Sequence, residues 1–263
     1  MIVKENVIIH PAARLGENVQ IEPFTSIGED VEIGDNTWIG PHVTIMDGVR
    51  IGNNCRIFPG SVIGGIPQDL KYDGEDSIVV IGNNVTIREY VTVNRGTRAN
   101  YQTEVRDNCL LMAYVHVAHD CILNRNCVLA NNVNLAGHIE VGEYAILGGL
   151  TAVHQFVKIG EHAFVGGGSL VRKDIPPFVK AAREPLSYAG VNSIGLRRRG
   201  LTSEQINHIQ DIYRILFVKG YNTRQALKII ETSVTATPER DRIVEFIINA
   251  DRGIMKGFKK MNG

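Results

Sequence analysis

Aromatic side chains are scarce in this 263-residue chain, at 6 %, with a single tryptophan. A core with so few rings has to be filled by aliphatic residues, which points to a thin, regular interior. Also missing is any run of about twenty apolar residues, so no ordinary transmembrane helix is expected. The opening stretch MIVKENVIIHPAARLGENV lacks the uninterrupted apolar region of a signal peptide. The expectation is a soluble, cytoplasmic protein. Its four cysteines, Cys55, Cys109, Cys121 and Cys127, form neither a CxxC metal pattern nor a secreted disulfide framework.

Net charge is absent overall but not locally. Residues 1–171 carry 11 of the 28 Lys+Arg and 19 of the 28 Asp+Glu; residues 172–263 carry the other 17 and 9. The two stretches therefore differ by sign, about −8 against about +8. A basic C-terminal part could steer an acidic partner or simply form a solvated helical surface.

What the sequence does have is a period of six. From Ile9 the step runs through Leu15, Ile21, Ile27, Ile33, Ile39, Ile45, Ile51, Ile57 and Ile63, all aliphatic. It resumes at Ile81, Ile87 and Val93, and again from Val105 through Val117, Leu129, Val141, Val153 and Val165 to Val171. Periods of 3.6 and 2 are both out of phase with this series, so it is neither an amphipathic helix nor a surface strand. Six residues make a short strand and a corner, and three such units make a triangular coil of about eighteen residues. Stacked coils give a parallel β-helix. Glycine often follows the aliphatic residue, as at Gly16, Gly52, Gly82 and Gly142, where it is expected to supply unusual corner angles. A second column four residues on holds Ala145, Thr151, Ala163 and all four cysteines, which reads as a layer of small, reduced core residues.

Two stretches interrupt the period, roughly Gly65 to Val80 and Asn94 to Glu104, and should leave the stack as loops. The pattern stops near Asp174-Ile-Pro-Pro177. Helical signals follow: Thr202 with Gln205 as a capping box, a short helix near Thr223 to Thr232, and Thr237-Pro238 as the start of a third. Two domains are expected, residues 1–190 as the β-helix with its insertions and 191–263 as a helical domain.

Candidate chemistry centres on AYVHVAHDC, Ala113 to Cys121. His119, two residues past inward Val117, should point outward, and Asp120 beside it could fix its tautomer for general-base work. One coil later come Gly137 and His138; Gly137 could bring a bare N–H to the same spot, as an oxyanion hole requires. His154 and Gln155 fall near the same edge after a further coil. Acyl transfer without metal fits this set, and three histidines on one edge leave zinc open. The run Leu196-Arg-Arg-Arg-Gly200 suits phosphate oxygens or a plain basic surface.

Taken together, QDLKYDGE (Gln68 to Glu75), HVAHDC, LANNVNLAGH (Leu129 to His138), GGLTAVHQF (Gly148 to Phe156) and GVNSIGLRRRG (Gly190 to Gly200) resemble the signature stretches of UDP-N-acetylglucosamine O-acyltransferases. The resemblance spans nearly the whole chain. It implies a mainly β fold, a left-handed parallel β-helix of hexapeptide repeats with a C-terminal helical domain, assembled as a homotrimer with clefts between subunits. It further implies transfer of an (R)-3-hydroxyacyl group from acyl carrier protein to the 3-hydroxyl of UDP-N-acetylglucosamine, the first step of lipid A biosynthesis. No cofactor, metal, nucleic acid or membrane span is implied, the acyl group being carried on the phosphopantetheine of the carrier. By position, His119 becomes the general base, Asp120 its orienting partner and Gly137 the oxyanion donor. Asp69, Lys71, His116, His138, His154 and Gln155 line the sugar and acyl cleft. Asn192, Arg198 and Arg199 meet the nucleotide or carrier end, and Gly167 takes the acyl-length position, where a bare backbone leaves room for a long chain.

Two positions depart from the family pattern. Asn94 stands for histidine in VTVNRGT, which bears on the choice between a 3-hydroxyl and a 3-amino acceptor, and Ile194 replaces an acidic residue. The rivals are an N-acyltransferase of the same pathway, which would need an N-terminal uridine-binding domain where hexads already begin at Ile9, a β-helical zinc carbonic anhydrase, and a structural or ice-binding solenoid.

Overall fold

The computed structural model describes residues 2–257; Met1 and residues 258–263, the last part of the expected helical domain, lie outside them. Strands of two to five residues form three sheets of twelve, nine and eight strands, which are the three faces of a prism. We call them faces A, B and C. Pairing between coils is parallel and in register, with Ile21 beside Ile39, Ile27 beside Ile45 and Ile33 beside Ile51. Each short strand can persist because its N–H and C=O groups are satisfied by the coils above and below.

The period-six aliphatic residues are the interior. Ile39, Ile57, Ile87, Leu111, Val117, Leu129 and Leu147 have no exposed surface. Each such side chain stabilises the stack by roughly 1.5–3 kcal/mol relative to exposure. The cysteines sit in the second interior column as expected, each at most 1 % exposed and all four free.

The corner glycines act differently from the expectation. Left-handed φ falls on the last corner residue instead, as at Asn36 (55°), Tyr114 (63°) and Asp120 (59°). Gly82 and Gly142, by contrast, are not among the left-handed positions; a Cβ there would stand 2.4 Å from Asp107 Oδ1 and 2.4 Å from the Glu161 nitrogen. These glycines are needed because the next coil presses on them. Asparagine carries the left-handed corners readily. The aromatic and histidine residues found there stack from coil to coil, as Tyr90 does on Tyr114 at 5.2 Å.

Both interruptions leave from the corner between faces B and C. They are shorter than the sequence suggested, because Ile78–Ile81 and Gln102–Val105 rejoin face C as paired strands. Nor does the stack end at residue 174. Ile175 bridges to Ile159, and Ala181 pairs with Val165, a step of sixteen that hides the continuation from a hexad search.

Strands Val179–Ala182 and Ser187–Val191 then form an antiparallel pair, and Lys256–Gly257 returns beside the second of them. The division expected at residue 190 is therefore crossed by sheet pairing. Four helices lie between: α1 (Ser193–Arg198), α2 (Ser203–Phe217), α3 (Thr223–Ser233) and α4 (Pro238–Ile248). Thr202 and Gln205 form the expected capping box on α2, and Thr237 with Pro238 starts α4. Helix α1, which carries Arg197 and Arg198 and is capped by Arg199, had no periodicity to announce it. Tyr213 of α2 is fully buried and donates to the Pro177 carbonyl at 2.6 Å, fixing the helices on the end of the prism. No helix among the described residues is long and apolar enough to cross a membrane.

Burial pushes the Cys121 thiol up to about 12. All four cysteines are buried, so a thiol-reactive chromophore added to the native protein should label none of them rapidly, and all of them after denaturation. Rapid native labelling would contradict the packed second column.

Candidate active site

Six of the sequence-nominated residues meet at the corner between faces B and C. His119 and Asp120 occupy the corner of one coil, Gly137 and His138 the next, and His154 and Gln155 the one after. His119 is not an outward surface residue. It is 8 % exposed, its ring lying against Asp120 and His138. Its Nδ1 lies 2.8 Å from Asp120 Oδ2. With that carboxylate ionised, Nδ1 carries the proton and Nε2 is left with its lone pair. Nε2 has no hydrogen-bond partner among the described residues.

Asp120 is held from several sides, with no exposed side-chain surface. Thr97 donates from N–H to Oδ1 at 3.0 Å and from Oγ1 to Oδ2 at 2.7 Å. Asn100 N–H reaches Oδ1 at 3.2 Å, and His138 Nδ1 lies 3.7 Å from Oδ2. Burial acts to raise the carboxyl pKa, but hydrogen bonds from His119 and Thr97 outweigh it and hold it below the usual carboxylate value. The side chain is therefore an anion at neutral pH.

Gly137 lies against the His119 ring, as the stacking of coils predicts. A Cβ on Gly137 would stand 2.4 Å from Cε1 and 2.6 Å from Nε2 of His119. No side chain fits between ring and backbone. The neighbouring N–H groups of Ala136 and His138 donate to Val153 and His119, at 3.1 and 3.0 Å, whereas the Gly137 N–H has no acceptor among the described residues. A lone-pair nitrogen and a free N–H thus share one concave corner.

His116 projects outward from face B, its Nδ1 2.7 Å from Thr92 Oγ1. Burial is the main cause that lowers its pKa, with a smaller electrostatic contribution from the neighbouring His119. His138 is lowered by burial too, partly offset by Asp120, and stacks on Phe156 at 4.4 Å. Both rings are neutral near pH 7. His154 and Gln155 are exposed, with His154 Nδ1 3.2 Å from the Gln155 carbonyl. His119, Asp120 and His138 are close enough for a metal ion. However, both Asp120 oxygens are already engaged by N–H and O–H donors, which is the pattern of an orienting carboxylate.

The first insertion overhangs this corner. It carries Asp69, which caps its own turn by accepting from Lys71 N–H at 2.9 Å, while Lys71 itself is exposed. Asn94, the departure from the family pattern, is 6 % exposed and donates from Nδ2 to the Ile66 carbonyl at 2.8 Å. It ties the two insertions together.

The remaining nominated residues lie elsewhere on the prism. Gly167 is on the corner between faces A and B, where a Cβ would approach the Gly149 carbonyl to 3.1 Å. Asn192, Arg198 and Arg199 are near the corner between faces C and A. Asn192 caps α1 and donates to the His162 carbonyl, so its amide is occupied within the chain. Arg199 covers the Tyr144 ring at 4.8 Å, and Arg198 is exposed. Sequence reasoning missed Thr97 and Asn100 altogether. The break in the period flagged their loop, but contacts spanning twenty or more positions have no period to follow.

This geometry has counterparts among known proteins. A family model described as "Udp N-acetylglucosamine O-acyltransferase; Domain 2" matches residues 174–255. A bacterial transferase hexapeptide model matches residues 102–137, and a GMPPB C-terminal domain model matches residues 3–97. An acyl-[acyl-carrier-protein]–UDP-N-acetylglucosamine O-acyltransferase of Alkalilimnicola ehrlichii is 42 % identical over 195 residues, 74 % of this chain and 76 % of the relative. Its counterpart in Nautilia profundicola is 44 % identical, over 74 % and 75 %.

The chain belongs to the UDP-N-acetylglucosamine O-acyltransferase family.

Its fold is that of solved members. The crystal structure of the Bacteroides fragilis UDP-N-acetylglucosamine acyltransferase superposes with a TM-score of 0.95 at 48 % identity, over 96 % of this chain and 99 % of that one. The Acinetobacter baumannii structure gives 0.94 at 37 %, over 97 % and 100 %. The fold is the left-handed parallel β-helix of this family with a C-terminal helical segment.

The close approach at Gly137 makes a local prediction. In a crystal structure of Gly137→Ala, the His119 ring should be displaced from Asp120 Oδ2. A ring still at its present separation would mean that the corner backbone yields instead.

Proposed function

We propose that this chain transfers an (R)-3-hydroxyacyl group from the phosphopantetheine thiol of acyl carrier protein to the 3-hydroxyl of UDP-N-acetylglucosamine, the first step of lipid A biosynthesis, with His119 as general base. The observation that carries the reading is the joint placement of His119 and Gly137. Nε2 takes the hydroxyl proton as the oxygen attacks the thioester carbonyl. The resulting oxyanion accepts from the Gly137 N–H, which has no acceptor of its own. Collapse breaks the C–S bond, and the imidazolium returns its proton to the leaving thiolate. Asp120 stays ionised throughout, holding the tautomer and balancing the ring's transient charge.

Substrate contacts are assigned to Asp69, Lys71, His116, His138, His154 and Gln155 around that corner. Arg198, Arg199 and Asn192 are assigned to the nucleotide or carrier end, and Gly167 to the end of the acyl chain. The last two groups lie on other corners than His119, so one ligand touching all three needs a neighbouring copy; we infer a homotrimer with sites between subunits. Free cysteines throughout the second column suit a reducing cytoplasm. The relatives' shared name supports the carrier and the sugar nucleotide as partners.

The test offers a carrier loaded with a long 3-hydroxyacyl chain to UDP-N-acetylglucosamine and to its 3-amino analogue. Transfer to the hydroxyl sugar is expected. His119→Ala should lose about a hundred- to ten-thousand-fold in turnover with fold and assembly intact; near-full activity would remove His119 from the role. Transfer to the amino sugar alone would make the product an amide and the enzyme an N-acyltransferase. Arg198→Ala and Arg199→Ala should raise KM more than they lower kcat. A chain-length series that moved only short acyl groups would rule out the assignment of Gly167.

A further inference from the structure

The mechanism leaves unused a buried hydroxyl that bonds the Asp120 carboxylate. Thr97, 7 % exposed, lies in the seven-residue insertion 95–101, which no family role absorbs. Its Oγ1 and His119 Nδ1 converge on the same oxygen, Asp120 Oδ2, at 2.7 and 2.8 Å. Its N–H takes the other oxygen, joined by Asn100 N–H. The turn that aims these donors is closed on itself, with Tyr101 N–H donating to the Thr97 carbonyl at 2.7 Å and Ala99 N–H to Thr97 Oγ1 at 3.3 Å. It folds so tightly that a Cβ on Gly96 would stand 2.2 Å from the Gln102 nitrogen. Arg98, next in the chain, donates to the Lys71 carbonyl and pairs with Glu75, locking the turn to the first insertion.

We propose that Thr97 is a positioning residue for the acid–base pair: its hydroxyl shares Asp120 Oδ2 with His119, and so sets how much of the carboxylate's charge falls on the imidazole. The inference rests on the assignment of His119 as base. Two donors on one oxygen divide its charge, and removing one strengthens the other. Without the hydroxyl, Oδ2 would turn its charge onto the His119 N–H, favouring the protonated ring, which cannot act as base. The other titratable groups facing the pair are His116 on face B, His138 on the next coil, Cys121 next to Asp120 in the chain, and Asp69 toward His138. None of them donates to Oδ2 within hydrogen-bond distance; His138, the nearest, is at 3.7 Å.

The experiment compares wild type with Thr97→Val, Thr97→Ser and His119→Ala in the full chain, with acyl carrier protein and UDP-N-acetylglucosamine as substrates. Thr97→Val should lower kcat about ten-fold with KM within about two-fold, and move the acid limb of the kcat/KM profile to higher pH. Thr97→Ser, which keeps the hydroxyl, should restore both. If valine is not accommodated, as judged by thermal unfolding, Thr97→Ala against Thr97→Ser carries the same comparison. A rise in KM with an unmoved acid limb would overturn the proposal in favour of a loop that merely holds substrate. Unchanged kcat and an unchanged limb would overturn it outright. His119→Ala separates the two levels: if that variant keeps full activity, the base assignment fails, whereas its inactivity beside an unaffected Thr97→Val leaves the base and removes only Thr97.

Discussion

A strand two residues long has no stability of its own, and everything in this molecule depends on the pairing of each coil with the ones above and below. Cross-coil hydrogen bonds fix the vertical register, and the register fixes which side chain lies over which. His138 N–H bonds the His119 carbonyl as part of this ladder, and that bond brings Gly137 under the His119 ring. The corner at His119 is thus a consequence of the same rule that stacks the aliphatic core. It differs only in the residues that occupy it.

Against that rigid ladder, the two insertions supply what a regular repeat cannot. At an ordinary corner a histidine would point to solvent, and its partner would be whatever lay one coil away. Here His119 and Asp120 are both buried, and the second insertion folds back to saturate the carboxylate with donors. Burial alone would favour the neutral acid; the added hydrogen bonds hold the anion. The first insertion is tied to the second through Asn94, Arg95 and Arg98, so the segment bearing Asp69 and Lys71 is braced against the segment that holds Asp120.

The corners also show how one residue type serves different ends in a repeat. Glycine at the first corner position answers to crowding from the next coil, while the left-handed conformation is carried mostly by asparagine, tyrosine, phenylalanine and histidine, by glycine at Gly60 and Gly168, and at one position by Asp120. Asp tolerates that conformation because its short polar side chain bonds locally. A carboxylate can therefore stand at a strained-looking corner without a penalty large enough to spoil the stack.

The coil was legible in the sequence. A column such as Ile33, Ile39, Ile45 and Ile51 admits one period, and one period admits one stacking, so the vertical neighbours of His119 were legible as Gly137 and His138. The helix starts at Thr202 and Thr237 were legible too, because caps are local chemistry. The rest depends on contacts that no local pattern announces. The continuation through Ile175 and Ala181 escaped notice because its spacing leaves the period. Helix α1 was missed because six residues are too few to show one. Thr97 was missed because its bond to Asp120 crosses from an insertion to a coil, and no spacing rule connects two positions whose separation is set by a loop's path through space.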